Sequence, residues 1–446
     1  MSKEKNQEGC SCCCVNNEDH RKFGEKLDIF DFDPLIGSGI PFWLENGFTL
    51  KETIKQYVNS IQLKNGITMV STPELGRKEL YETSGHWDHY RENIFPPIQL
   101  DESDDYVLRP MTCPHHILLY KRTRWHEKHL PIAYGENSRL YRYECSGGLF
   151  GLERTRAMEL IDTHMFCSPE KLITSLQQAL NIILEVKEAF QIQYHSIVLS
   201  LRDKNKDKFF DDDELWEKAE HTLRDFLDKN KIQYEEGIGD AAFYGPKIDF
   251  QIKTYSGKII TISTIQLDFL LPQKFNLQYF KGEQGEKATP IMIHLGIIGT
   301  LERFIAYLLE RDQGWLPFWI SPIQIAVIPV NINKHLTISQ NFASFLQKLN
   351  IRVSVEASDE SLGRRLAQTI EKRVYGHIIL GDKEAETIQE LISINSDIQN
   401  KSQNNWENVM KLISKNRGER ENLVKEKYPL NHSEFLRWAS LFTKQN

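Results

Sequence analysis

The chain has 446 residues, enough for two or three domains with sizeable buried cores. Its 40% hydrophobic and 26% charged residues are the proportions of a soluble globular protein, and no apolar run approaches the ~18 residues of a membrane span. The net charge of −7 argues against a nucleic-acid partner but divides unevenly: residues 321–446 carry 17 Lys and Arg against 14 Asp and Glu, a net of +3, leaving −10 on the first 320, an asymmetry that fits an RNA-contacting C-terminal part.

Residues 1–18 form a polar leader with Cys10, Cys12, Cys13 and Cys14, read as a flexible tail. No continuous apolar segment follows the first charges, so a secretory signal is not expected and a cytoplasmic location is. No disulfide framework is implied by the seven cysteines. The stretch 19–32 has helical spacing and is broken by turn residues at 33–39. Thr49 with Glu52 has capping-box spacing for a helix over 49–63, whose apolar face is Ile54, Tyr57, Val58 and Ile61. Asn65-Gly66 ends that helix, and a strand over 67–71 runs into Thr72-Pro73.

The middle reads as strand-rich, with strands at 140–144, 196–201, 247–252, 259–264 and 291–295 and helices at 169–190 and 211–229. Residues 317–322 read as a linker. Beyond it, strands at 324–329, 352–355 and 376–380 alternate with helices at 334–349, 361–374 and 405–416, predicting a small α/β unit with a mixed sheet.

Three blocks hold the residues of greatest chemical interest: Arg-Pro-Met-Thr-Cys-Pro-His-His (109–116), Ile-Asp-Thr-His-Met-Phe (161–166) and Pro-Ile-Met-Ile-His-Leu-Gly (290–296). Cys113, His164 and His294 are one thiol and two imidazoles, a donor set suited to Zn²⁺ with the fourth position open. Taken alone, such a trio is ordinary core material; the surrounding blocks decide the reading. These blocks resemble the class II aminoacyl-tRNA synthetases, and the trio is similar to that of the threonyl-tRNA synthetases. The resemblance runs from about Asp19 to about Glu386 and is dense over 83–90, 242–250 and 266–269.

The resemblance implies an α+β fold. A class II antiparallel-sheet catalytic core would occupy 19–320 and a small α/β anticodon-binding-like domain 321–446. It implies a homodimer built on the helix, strand and proline of 49–73, one Zn²⁺ per chain, and Mg²⁺ with ATP. Its partners would be ATP, L-threonine and tRNA(Thr), with no membrane. Amino-acid activation joins a carboxylate to the α-phosphorus of ATP, so the protein must hold two anions in line and neutralise them. By resemblance, Arg142 bridges the carboxylate and α-phosphate, and Glu144 accepts from the adenine amino group. Arg154 contacts the distal phosphates, Arg303 lies against adenine and the γ-phosphate, and Lys247 adds charge near the α-phosphate. Met158 stands where an aromatic ring usually stacks on adenine. The open metal position would take the threonine amino and hydroxyl groups, with Asp162, Gln266 and Tyr244 closing the pocket. His86 would help to deprotonate the ribose 2′-hydroxyl of the tRNA end. His89, His115 and His116 read as packing or surface residues.

Departures from the family pattern shape the remaining expectations. The chain begins close to the catalytic region, so no editing in cis is expected, and serine, one methyl smaller, should be mischarged. Leu160 and Thr261 replace glutamines, and Leu295 follows His294 where arginine is typical. Residues 392–397 carry no arginine where the family expects an anticodon-reading strand. The alternative reading is a paralogue that activates threonine for a carrier protein or small molecule.

Overall fold

The computed structural model describes residues 19–101, 104–204 and 208–394; the cysteine-rich leader, the helix expected at 405–416 and residues 395–397 lie outside them. In chain order the elements that build the core are α1 (His20–Lys26), α2 (Glu45–Lys64), β1 (Thr68–Met69), α3 (Cys113–Lys121), β2 (Ile132–Tyr141), β3 (Ala157–Cys167), α4 (Leu172–Ala189), β4 (Ser196–Leu201), α5 (Asp213–Lys229), β5 (Glu235–Ile238), β6 (Lys247–Lys253), β7 (Ile259–Asp268), β8 (Ile291–Thr300) and α6 (Leu301–Arg311). Eight strands form one sheet in the order β5-β4-β6-β7-β8-β3-β2-β1. The strands from β4 through β6, β7, β8 and β3 to β2 pair antiparallel. Only the outermost pairs, β4 with β5 and β1 with β2, are parallel.

Alternation along the strands explains why the sheet has one oily and one chemical face. In β3, Ile161, Met165 and Cys167 point into the main core beneath the sheet, where α2, α4 and α6 pack against them. Asp162 and His164 point the other way. Strand β3 escaped the sequence reading because it carries polar residues on both faces: Glu159, on the core side, bonds Lys51 at 2.9 Å and Lys55 at 2.7 Å. Strand β2 likewise spans Ile132–Tyr141 rather than 140–144.

Helix α2 begins one turn before the expected start. Leu44 precedes it with no side-chain cap, and Thr49 lies inside the helix, its carbonyl accepting Thr53 Oγ1 at 2.8 Å. Tertiary packing overrides the capping box. Gly47 lets the first turn lie directly on the Ile29 carbonyl, where a Cβ would come within 1.8 Å of the oxygen.

The C-terminal unit comprises β9 (Ile325–Pro329), α7 (Ile332–Lys348), β10 (Val353–Val355), α8 (Leu362–Glu371), β11 (Gly376–Leu380) and α9 (Asp382–Ile394). Among the described residues its sheet is all parallel, in the order β10-β9-β11, rather than mixed. The stretch 317–322 is no exposed linker: Phe318, Trp319, Ile320 and Ser321 are buried. Arg352 donates to the carbonyls of Trp319 at 2.8 Å and Ser321 at 2.9 Å, and a single apolar cluster runs from the main sheet into the C-terminal unit.

Candidate active site

Four neighbouring strands set one row of side chains across the chemical face: Gln266 on β7 is opposite His294 on β8, His294 is opposite His164 on β3, and His164 is opposite Tyr134 on β2. The next row is Thr264, Gly296, Asp162 and Glu136. Cys113, at the start of α3 with Pro114 in the first turn, closes over the first row. The Cys113, His164 and His294 donor atoms lie within 4.8 Å of one another, all three residues buried. Register alone brings His164 and His294, 130 positions apart in sequence, side by side, and the helix start brings Cys113 to them.

The hydrogen bonds around the trio fit a metal ion. His294 Nε2 lies 2.8 Å from Asp268 Oδ2; a proton there, held by the carboxylate, leaves the Nδ1 lone pair free to bind metal. His164 Nδ1 lies 2.9 Å from His116 Nδ1, and His116 Nε2 lies 3.1 Å from Glu136 Oε2. If His116 donates to the carboxylate, its Nδ1 accepts the His164 Nδ1–H, and His164 Nε2 is left bare for metal. Glu136 is itself anchored by Arg109 at 3.0 Å and by the Thr72 hydroxyl at 2.7 Å. Burial would raise its carboxyl, but the bonds from His116 and Thr72 and the Arg109 charge outweigh that and bring it down to about 2. Burial pushes the Cys113 thiol well above its ordinary value, a cost that a coordinated cation would reverse.

Asp162 flanks the trio, its Oδ2 3.7 Å from His164 Nε2, and burial raises its carboxyl to about 6. The Tyr244 hydroxyl donates to Gln266 Oε1, and the Tyr244 ring stacks on His294 at 4.7 Å between centroids. Leu295 faces the opposite way, fully buried in the core, so its side chain takes no part in this face. Lys247, opposite Gln266 in the sheet, is paired with Asp249.

At the other end of β3 the arginines gather. Strand β2 ends at Tyr141, and Arg142 N donates to Arg156 O at 2.9 Å, opening the loop 142–156. Among the described residues the Arg142 guanidinium makes no ion pair; it reaches only Pro110 O and Met111 Sδ, both at 3.4 Å. Arg154 and Glu144 bond one another at 2.7 Å. Arg303, in the first turn of α6, donates to Glu153 O at 3.2 Å. Burial, with Arg142 and Arg154 nearby, holds its pKa below the ordinary guanidinium value. Met158 lies buried on the strand between the arginines and Asp162.

His86 is fully buried. Its Nδ1 lies 2.7 Å from Ser84 Oγ and its Nε2 3.5 Å from Cys113 Sγ, and burial lowers its pKa to about 3. It therefore sits beside the trio rather than out on a rim. His89 stacks on Phe243 and is a packing residue, but His116 is not: it holds a member of the trio. The signal for His116 was present, since three residues after Cys113 on a helix places both on one face. Asp268, two residues from Gln266 on the same strand face, was legible in the same way.

A largely antiparallel sheet with arginines gathered at one end of its chemical face fits the class II aminoacyl-tRNA synthetase core. Residues 97–312 match the tRNA synthetase class II core domain (G, H, P, S and T), and residues 324–416 match the anticodon binding domain. Threonine--tRNA ligase of Mycoplasma genitalium is 47% identical over 375 residues, 84% of this chain and 66% of that protein. The Staphylococcus aureus enzyme of the same name is 43% identical over 372 residues, 83% of this chain and 58% of that protein. The chain thus spans about three-fifths to two-thirds of the length of these relatives. The structure described as the RNA binding domain of threonyl-tRNA synthetase from Cryptosporidium parvum Iowa II superposes with a TM-score of 0.78 at 32% identity, covering 83% of this chain and 91% of that one. The chain belongs to the threonyl-tRNA synthetase family.

Proposed function

We propose that this chain activates L-threonine with ATP and transfers it to tRNA(Thr). The observation that carries the reading is the shared sheet face, on which a buried Cys113/His164/His294 trio stands beside Asp162, Gln266 and Tyr244, with Arg142, which makes no ion pair among the described residues, at the other end. Cys113, His164 and His294 would hold one Zn²⁺, which when bound supplies an open Lewis-acid position for the threonine amino and hydroxyl groups. Asp162 would accept a hydrogen bond from one of those groups, and the Tyr244–Gln266 pair would close the pocket around the methyl. Arg142 would draw the threonine carboxylate and the α-phosphate of Mg²⁺-bound ATP together, with Lys247 adding charge beside them. Arg303 would stack against adenine. The Glu144–Arg154 pair would open on binding, Glu144 turning to the adenine amino group and Arg154 to the distal phosphates, while Met158 packs on the base. His86 would take the ribose proton once the tRNA end displaces its contact with Ser84. The protein would work as a cytoplasmic homodimer.

The deciding experiment is charging of bulk tRNA with labelled threonine, ATP and Mg²⁺ by the purified chain. Threonyl-tRNA should accumulate. Threonine-dependent pyrophosphate exchange without charging would refute tRNA as acceptor and point to a carrier protein or small molecule instead.

Selectivity at the activation step follows from the chemistry of the pocket. Valine lacks the hydroxyl, and a site built to bind one should reject it by about 10⁴-fold or more in kcat/KM, whereas serine, short of one methyl, should lose only about 10–200-fold. Pyrophosphate exchange with the three amino acids measures both ratios; equal rejection of serine and valine would argue against hydroxyl recognition. The hydrogen-bond chain behind His164 carries its own expectation. His116→Ala should weaken zinc retention by about 10–100-fold, read by competition with a chromogenic chelator, and unchanged retention would remove His116 from the metal site.

A further inference from the structure

His20 opens α1, more than a hundred residues before the arginines, yet its fully buried ring lies against the loop that carries two of them. Its Nε2 accepts the Leu152 backbone N–H at 3.0 Å, and its Nδ1 lies 2.6 Å from Glu310 Oε1. Leu152 belongs to the loop that follows Arg142 and Glu144 and precedes Arg154. Glu310 lies on α6, two turns beyond Arg303. One residue from Leu152, the Glu153 carbonyl receives Arg303 Nε at 3.2 Å. The approach is too close for a side chain: Gly151 has φ +47°, and a Cβ there would come 2.1 Å from His20 Nε2. Phe150 packs edge-on against the ring at 5.5 Å, with the Arg21 and Lys258 cations over its faces at 4.4 and 4.5 Å.

By distance alone His20, Glu153 and Glu310 would also suit a metal ion. The Leu152 N–H decides against it. Because Nε2 accepts, its lone pair is committed and the ring proton sits on Nδ1, donated to Glu310. A neutral imidazole bound to metal through Nδ1 would carry its proton on Nε2, setting two donors against each other.

We infer that His20 is a positioning residue for the nucleotide half of the site, tying the loop of Arg142, Glu144 and Arg154 to the helix whose first turn holds Arg303. The inference rests on the synthetase reading above. Held at both ends, the two arginine-bearing segments keep their spacing before ATP arrives, so less ordering is left for binding to supply.

Three variants separate the two hydrogen bonds. His20→Gln keeps an acceptor for the Leu152 N–H, His20→Asn keeps only a donor for Glu310, and His20→Ala keeps neither. Threonine-dependent pyrophosphate exchange by the wild-type chain comes first, since its absence would refute the synthetase reading and, with it, the basis of this one. With exchange established, KM for ATP is expected to rise about tenfold in the Asn and Ala variants, the scale of one buried hydrogen bond. The Gln variant, which keeps the loop end but frees Glu310, should rise by a similar factor, and KM for threonine should not move in any of them. An unchanged KM for ATP in any of the three variants, or equal rises for ATP and threonine, would overturn the inference. Should these variants fail to fold, Gly151→Ala tests the same contact with His20 intact. It should raise KM for ATP selectively, and no rise would count equally against the inference.

Discussion

Cys113→Ala is expected to leave the purified protein without the single zinc ion per chain that the wild type should carry, and without threonine-dependent pyrophosphate exchange. The reason lies in what the two histidines can do alone. Their rings are oriented by Asp268 and His116 with one lone pair each to spare, but two neutral imidazoles provide neither the charge nor the third donor that an open zinc site uses. Loss of activity should exceed the ~10²-fold that changes behind the ligands produce. KM for ATP should stay near its wild-type value in any residual activity, because Arg142, Arg154 and Arg303 gather at the far end of β3. Zinc content by atomic emission, taken with exchange kinetics, checks both statements. A Cys113→Ala protein that keeps its zinc, or activates threonine normally, would sink the metal reading.

Arg142→Ala should lower kcat for activation by about 10²–10³-fold, the effect of removing one preorganised charge from a transition state that gathers negative charge. This guanidinium has no carboxylate partner among the described residues, whereas Arg154 is engaged with Glu144 and Arg303 with the Glu153 carbonyl. Arg142 therefore meets its anions without first giving up an ion pair. Arg142→Lys should recover little, because an ammonium is a point charge and cannot span carboxylate and phosphate as a guanidinium fork does. Single-turnover formation of threonyl-adenylate isolates the step. A loss of less than about fivefold would reassign the bridging role.

The two halves of the site differed in how much their residues revealed. Cys113, His164 and His294 were readable because each sits in a distinctive block. The sheet then places His164 and His294 where period-2 alternation and register require, and the start of α3 brings Cys113 to them. His20 gave no such signal. It is a single histidine near a helix start, and its partners, Leu152 and Glu310, are 132 and 290 positions away. The capping-box reading of Thr49 failed for a related reason: a local preference worth about 1 kcal/mol yields to a whole turn of helix seated on a neighbouring backbone.

By itself, then, the amino-acid sequence determined the family, the α+β organisation and the candidate groups of the site, because those depend on residue type in short blocks and on local periodicity. Tertiary structure decided that Asp268 stands behind His294, that His116 and Glu136 stand behind His164, that Phe318 to Ser321 are buried, and that His20 contacts both Leu152 and Glu310. Each of these depends on contacts between residues far apart in the chain, whose geometry is set only when the strands pair and the core closes.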